Sequence, residues 1–212
     1  MPDPAGGGPA AAEPTHRVVL VRHGETEWSR AGRHTGRSDI PLTDQGRADA
    51  RCLHTALAGW SFEMVLASPL QRARQTCELA GCADRAVLRD ELMEWDYGDY
   101  EGLTWPQIRE RDPDWWLWRD GCPGGELPDD VGRRVDPVVA DLRRAGTGDA
   151  VVFAHGHLLR VLAARWMERP PDHGARLALS TSAVCVLGFE HAVPGLRRWN
   201  DVSHLPPARR RS

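Results

Sequence analysis

The chain is expected to fold as an α/β protein, a three-layer α/β/α sandwich with a mostly parallel central sheet. Three features of its 212 residues lead there. Apolar runs of strand length, such as Val18-Val19-Leu20-Val21 and Ala150-Val151-Val152-Phe153-Ala154, show no polar alternation and read as strands buried on both faces. Helical stretches alternate with these runs, as βα units require. Two of the runs end in a histidine-glycine pair, at the carboxyl edge where open α/β sheets bind ligands.

In chain order, residues 1–16 are rich in Ala, Gly and Pro without periodicity and are expected to be a mobile leader before a single domain spanning 17–203. The first strand gives way to a polar loop, Thr35-Gly36-Arg37-Ser38-Asp39. Thr43 then caps a helix whose inward face carries Ala50, Leu53 and Leu57. A second strand follows over 62–67, and Ser68-Pro69 reads as a helix start, with a serine cap and a first-turn proline; Gly81 ends that helix. A weaker strand at Ala86-Val87-Leu88 leads into an irregular loop over 91–98, expected at the sheet's edge. Thr104-x-x-Gln107 resembles a capping box, and Pro113 stops its helix before Trp115-Trp116-Leu117-Trp118. This region belongs to a Trp-rich insertion near 99–130, in which the tryptophans are expected to pack rather than to stack on a ligand. After the turn-rich stretch 121–126 comes a helix over 131–144, blemished by Pro137. A core strand at 149–154, an apolar helix at 158–167 and a late strand at 183–189 follow, and residues 204–212 are expected to form a flexible basic tail.

Composition narrows the function classes. A hydrophobic content of 41% over this length supports one sizeable core, and a net charge of −3 with dispersed arginines argues against nucleic-acid binding. Five cysteines with no Cys-x-x-Cys pair signal neither a disulfide framework nor a zinc site, so a reducing cytoplasm is expected. No apolar run approaches the ~20 residues of a membrane span, and no signal peptide is legible.

Chemistry concentrates at the strand ends. Arg22-His23-Gly24 offers a planar fork for phosphate oxygens, an imidazole able to act as a nucleophile near neutral pH, and a residue without Cβ beside which backbone amides could approach an oxyanion. Taken alone, the dipeptide also fits an ordinary surface pair. A second such end, His155-Gly156, lies about 130 residues on, and Arg72 sits at the start of a helix that follows another strand. Three strand ends thus aim at one anion site.

Four ordered motifs carry a more specific likeness: Arg22-His23-Gly24-Glu25-Thr26, the segment from Ser68 to Thr76, Glu94 with Tyr97-Gly98-x-x-Glu101-Gly102, and His155-Gly156. With them the chain resembles the histidine phosphatase superfamily, the phosphoglycerate mutase-like proteins. Glu27-Trp28-Ser29, Thr35-Gly36, the stretch 118–122 and His155-Gly156-His157-x-x-Arg160 are similar to its branch of actinobacterial acid phosphatases and sedoheptulose-bisphosphatases. The resemblance implies hydrolysis of a small phosphorylated metabolite through a phosphohistidine on His23, with an anion pocket of Arg22, Arg72 and His155, and Glu94 as proton donor. No metal or cofactor is expected, and since dimers are common in similar proteins a homodimer stays open. Ser29, Thr35, Gly36, Tyr97, Gly156, His157 and Arg160 are candidate substrate contacts. Ser29 stands where many cofactor-dependent mutases have asparagine, and Leu127 stands where a serine follows the usual Gly-Gly-Glu.

Residue chemistry sets conditions on those roles. A carboxyl with a reference pKa of about 4.3 is protonated about one time in 500 at pH 7, so Glu94 needs a raised pKa or an acidic medium. An imidazole of pKa about 6.5 is neutral only about 3% of the time at pH 5, so the neighbouring arginines must lower that of His23. Several alternatives stay open. Glu94 could be a solvated loop carboxylate, His157 a helix cap and Arg160 either a holder of a distal anion or a structural ion pair. His155-x-His157 as a metal pair lacks accompanying carboxylates. A phosphomutase and a non-catalytic binding module would use the same residues.

Overall fold

The computed structural model describes residues 15–144, 146 and 148–209; most of the expected leader and residues 210–212 of the expected tail lie outside them. The elements run β1 (Val18–Arg22), α1 (Glu27–Arg30), α2 (Asp44–Leu57), β2 (Phe62–Ala67), α3 (Gln71–Leu79), β3 (Ala86–Leu88), α4 (Trp105–Arg111), α5 (Leu117–Asp120), α6 (Pro128–Arg143), β4 (Asp149–Ala154), α7 (Gly156–Trp166), β5 (Val184–Glu190) and β6 (Val193–Asp201). One six-stranded sheet has the order β3-β2-β4-β1-β5-β6. β1 to β4 run parallel, whereas β5 is antiparallel to β1 and β6 to β5.

Strand alternation builds the layers. Val18 and Leu20 of β1 join Val131, Val135 and Val138 of α6 and Leu158 and Leu162 of α7 in one core. Val19 and Val21 join Ala50, Leu53 and Leu57 of α2 in the other. Successive side chains on a strand point to opposite faces, so this unbroken apolar run is what a sheet covered on both sides needs. Each fully buried Val or Leu contributes about 1.5–3 kcal/mol of transfer free energy.

The helices follow their start signals. Thr43 caps α2 through Gly46 N, and Thr104 with Gln107 forms the capping box of α4. Gly81 follows the last turn of α3 at φ +78°, a backbone region that glycine enters without strain. Pro137 lies within α6, which begins at Pro128, earlier than expected; Pro137 and Arg133, whose carbonyl loses its bond there, are both exposed.

Four further features depart from the sequence expectation. Helix α3 begins at Gln71 after an uncapped Leu70, so Ser68 is not its cap. Instead Ser68 Oγ lies 2.7 Å from Nε2 of the buried His155, which needs a partner. Helix α7 begins at Gly156, two residues before the expected start. Strand β6 was not anticipated: its hairpin turns on His191 and Ala192, both at positive φ, and it contains Pro194 and Gly195. Finally, His16 is buried, its Nε2 2.9 Å from Leu142 O, and Arg209 pairs with Glu25 and Asp49, so both ends of the described chain touch the domain. Of the tryptophans in the expected insertion, Trp115 and Trp118 are buried, while Trp105 and Trp116 are about half exposed. Among the described residues, no helix is long and apolar enough to cross a membrane.

Candidate active site

Parallel pairing of β1 with β4 sets Arg22 opposite Ala154, so the residues that follow each strand meet. His23 N donates to Ala154 O at 2.9 Å, and the rings of His23 and His155 are 5.2 Å apart. Ser68, after β2, donates its N–H to Phe153 O at 2.9 Å. Three strand ends therefore share one edge, and beside them opens a cavity of about 180 Å³ lined by Arg22, His23, Glu94 and Tyr97 among others. A larger cavity of about 580 Å³ lies by Arg17, Trp60 and Phe189 and includes none of these four.

His23 is nearly fully buried, and its Nδ1 lies 2.7 Å from Gly24 O. A carbonyl only accepts, so Nδ1 carries the hydrogen and the neutral ring keeps the Nε2 lone pair free. Burial first, then the charges of Arg72 and Arg22, hold its pKa well below the usual histidine value. Gly24 does not offer its amide: its N–H donates to Thr76 Oγ1 at 3.0 Å. The missing Cβ serves packing instead, since one there would lie 2.5 Å from Gly46 O.

The expected anion pocket is divided. Arg22 lines the cavity, with one Nη bonded to Leu179 O and its buried Nε without a partner among the described residues. Arg72 and His155, both 0% exposed, stand behind the wall rather than in it. Arg72 Nε donates to His155 Nδ1 at 3.1 Å, and its Nη groups donate to Ser38 O, Thr35 O and Gly36 O. An imidazole that accepts at Nδ1 donates from Nε2, here to Ser68 Oγ. With His155 held by Arg72 and Ser68 and His157 by Tyr97, the two rings do not converge on a shared ion. Among the described residues no group of three or more His, Cys, Asp or Glu could hold a metal.

Glu94 is buried, and its carboxylate accepts from Trp95 N (2.9 Å), His157 N (3.1 Å) and Leu158 N (2.8 Å). The last two belong to the first turn of α7, so Glu94 answers the open donors of that helix. His157 is accordingly not the cap; its ring lies in the cavity wall, Nδ1 2.5 Å from Tyr97 Oη. The phenol is the better donor and imidazole nitrogen the better acceptor, which leaves His157 Nε2 as a donor. His34 stacks on His157 with ring centroids 6.3 Å apart and also lines the cavity. Its Nδ1 lies 3.0 Å from Leu103 O, so that nitrogen holds the hydrogen and Nε2 is an acceptor. Burial leads the lowering of both histidine pKa values.

The remaining candidates fare unequally. Thr35 and Gly156 line the cavity, and the guanidinium of Arg22 lies so close to Gly156 that a Cβ there would be 3.2 Å from its Cζ. Ser29 also lines it, but its hydroxyl accepts from Thr26 N and donates to Thr26 O, capping α1. Gly36 does not line it: its N–H donates to Glu101, and a Cβ there would lie 2.5 Å from Trp95 O. Arg160 lines the cavity without an ion pair among the described residues, donating to Gly174 O and Ala175 O and lying 4.6 Å from the Trp118 ring, with burial drawing its pKa down to about 10. Sequence reasoning missed His34 and Arg33, which line the cavity in the loop ahead of Thr35; their proximity to the motif Thr35-Gly36 was the available signal. Glu126 turns away from the cavity to Arg134 and the backbone of Asp96.

This sheet, with His23, an arginine and a carboxylate lining one small cavity and His155 of the adjacent strand end packed behind it, is the architecture of a phosphoryl-handling α/β enzyme. The chain belongs to the histidine phosphatase superfamily (branch 1), whose family model matches residues 18–202. It is 42% identical to an acid phosphatase of Mycobacterium tuberculosis over 195 residues, covering 91% of this chain and 96% of that protein. It is 35% identical to sedoheptulose 1,7-bisphosphatase of Saccharomyces cerevisiae over 185 residues, 72% and 68% of the two chains. A solved structure of a Mycobacterium tuberculosis open reading frame product superposes with a TM-score of 0.83 at 42% identity, covering 87% of this chain and 97% of that one. Bisphosphoglycerate-dependent phosphoglycerate mutases match as well. Family and relatives together make the protein a phosphatase acting on small phosphorylated molecules.

Proposed function

We propose that His23 Nε2 attacks the phosphorus of a phosphomonoester, that Glu94 protonates the departing oxygen, and that water then releases phosphate from the phosphohistidine. The observation that carries this is the fixed tautomer of a buried His23, which leaves Nε2 unprotonated beside Arg22 and Glu94 in one cavity. Arg22 supplies donors to the equatorial oxygens, where each charge-assisted bond contributes about 1.5–3 kcal/mol. Arg72 acts from behind: after burial, its charge adds to what keeps His23 neutral, and its fork fixes His155 and the loop at 35–38. Tyr97, Thr35, Gly156, His157 and Arg160 face the rest of the substrate.

An acceptor on His34 and a donor on His157 suit hydroxyl groups, which supports a hydroxylated carbon chain such as a sugar phosphate. The small cavity favours a compact substrate, and the relatives named for acid phosphatase and sedoheptulose-bisphosphatase activity support the same class. Five free thiols fit a cytoplasmic setting. A homodimer is proposed from the family likeness alone, and a solution mass of 23.5 kDa would contradict it.

The test is phosphate release from a panel of sugar phosphates, bisphosphates, phosphoglycerates and nucleotides, with His23→Ala as control. The variant is expected to lose about 10³-fold or more in kcat. Retention of activity by His23→Ala would sink the assignment, and phosphoglycerate interconversion faster than phosphate release would make the protein a mutase.

A further inference from the structure

A carboxyl that must meet a departing oxygen works only if its backbone is held still, and Glu94 lies in an irregular segment between β3 and α4. The side chain of Arg134, from α6, reaches into that segment. Its Nη1 donates to Glu91 O at 2.7 Å and to Met93 O at 2.9 Å, and its Nη2 lies 3.4 Å from Glu94 O. The same guanidinium forks onto Glu126, Nε to Oε1 at 2.7 Å and Nη2 to Oε2 at 2.9 Å. Glu126 in turn accepts from Asp96 N at 2.8 Å, while its backbone O accepts from Trp95 Nε1 and its N donates to Asp96 O. The Arg134-Glu126 pair therefore grips the chain on both sides of Glu94. Neither residue lines the cavity, and both side chains are largely covered.

We infer that Arg134 and Glu126 are positioning residues for the reaction, holding the Glu94 carboxyl where the leaving oxygen departs. The inference rests on the proposed role of Glu94. As the bond between His23 Nε2 and phosphorus forms and the ester P–O bond breaks, the Glu94 proton passes to the departing oxygen. An alkoxide needs that proton, whereas the acidic p-nitrophenolate leaves without it. Damage to the brace must therefore depend on the leaving group.

The experiment compares kcat/KM for glycerol 3-phosphate and p-nitrophenyl phosphate in the intact protein and in Arg134→Lys, Glu126→Gln and Glu94→Gln. Lysine keeps the charge but cannot fork; Glu126→Gln keeps an acceptor and removes the charge. Both brace variants are expected to lose about tenfold or more on glycerol 3-phosphate and much less on the aryl ester, with melting curves reporting whether the fold is intact. Equal loss on both esters, or none on either, overturns the inference and makes the pair a structural bridge. If Glu94→Gln itself shows no leaving-group dependence, the proton-donor reading fails and the positioning role falls with it. If Glu94→Gln shows the dependence and the brace variants do not, only the positioning role is lost.

Discussion

At the scale of single residues, the proposed nucleophile His23 is expected to set the acid limb of the rate profile. Its folded pKa is pushed well below 6.5, so the nucleophile stays neutral through pH values at which a free imidazole is charged. Activity is therefore expected to hold as pH falls through 6.5 and to be lost only at lower pH, where the His23 ring takes a proton. Initial rates from pH 4 to 9 check this; an acid limb centred near 6.5 would contradict a buried, neutral His23. Gly36 is a purely steric case. An added Cβ would lie 2.5 Å from Trp95 O and 2.6 Å from Glu101 Oε2, so Gly36→Ala is expected to lower stability by about 1–3 kcal/mol in urea titrations.

At the scale of elements, helix α7 and the carboxylate that closes its first turn depend on each other. Glu94→Ala is expected to remove about 1–2 kcal/mol of stability in addition to activity, because two N–H donors of that turn lose their acceptor. Pro137 is the reverse case. An interior proline costs up to ~3 kcal/mol, and Pro137 is exposed in α6, so Pro137→Ala is expected to raise the unfolding midpoint without touching kinetics. The same scale explains what the sequence disclosed. The doubly buried strands and the capped helices α2 and α4 were legible because apolar runs and cap residues are local signals. The β5-β6 hairpin was not, since its turn uses His191 and Ala192 where Asn-Gly would have announced positive φ, and its edge strand tolerates Pro194. That Arg22, His23 and Glu94 meet at one cavity was readable from motifs, but not that Arg72 and His155 face each other behind it, nor that Arg134 bonds to the backbone around Glu94. Those depend on contacts between residues 83 and 40 positions apart.

At the scale of the whole molecule, the buried histidines of the site tie the fold's stability to pH. His23, His155 and His157 all have folded pKa values well below 6.5, so the unfolded chain binds more protons than the native one in acid. Their contribution is complete above the unfolded pKa of about 6.5 and is lost as pH falls toward the folded values, by up to about 1.4 kcal/mol per pH unit for each ring. The melting temperature is therefore expected to be higher at pH 7.5 than at pH 5; equal values at the two pH values would contradict the buried neutral histidines. Bound phosphate should restore part of the loss, by about 2.7 kcal/mol at a hundred times its Kd. The central claim is a phosphoryl group on His23, and rapid mixing with ³²P-labelled substrate followed by alkaline quench and peptide mapping tests it directly. The account predicts an acid-labile, alkali-stable label on the peptide containing His23 that is absent from His23→Ala, whereas label on another residue, or turnover with no labelled protein at any quench time, would contradict it.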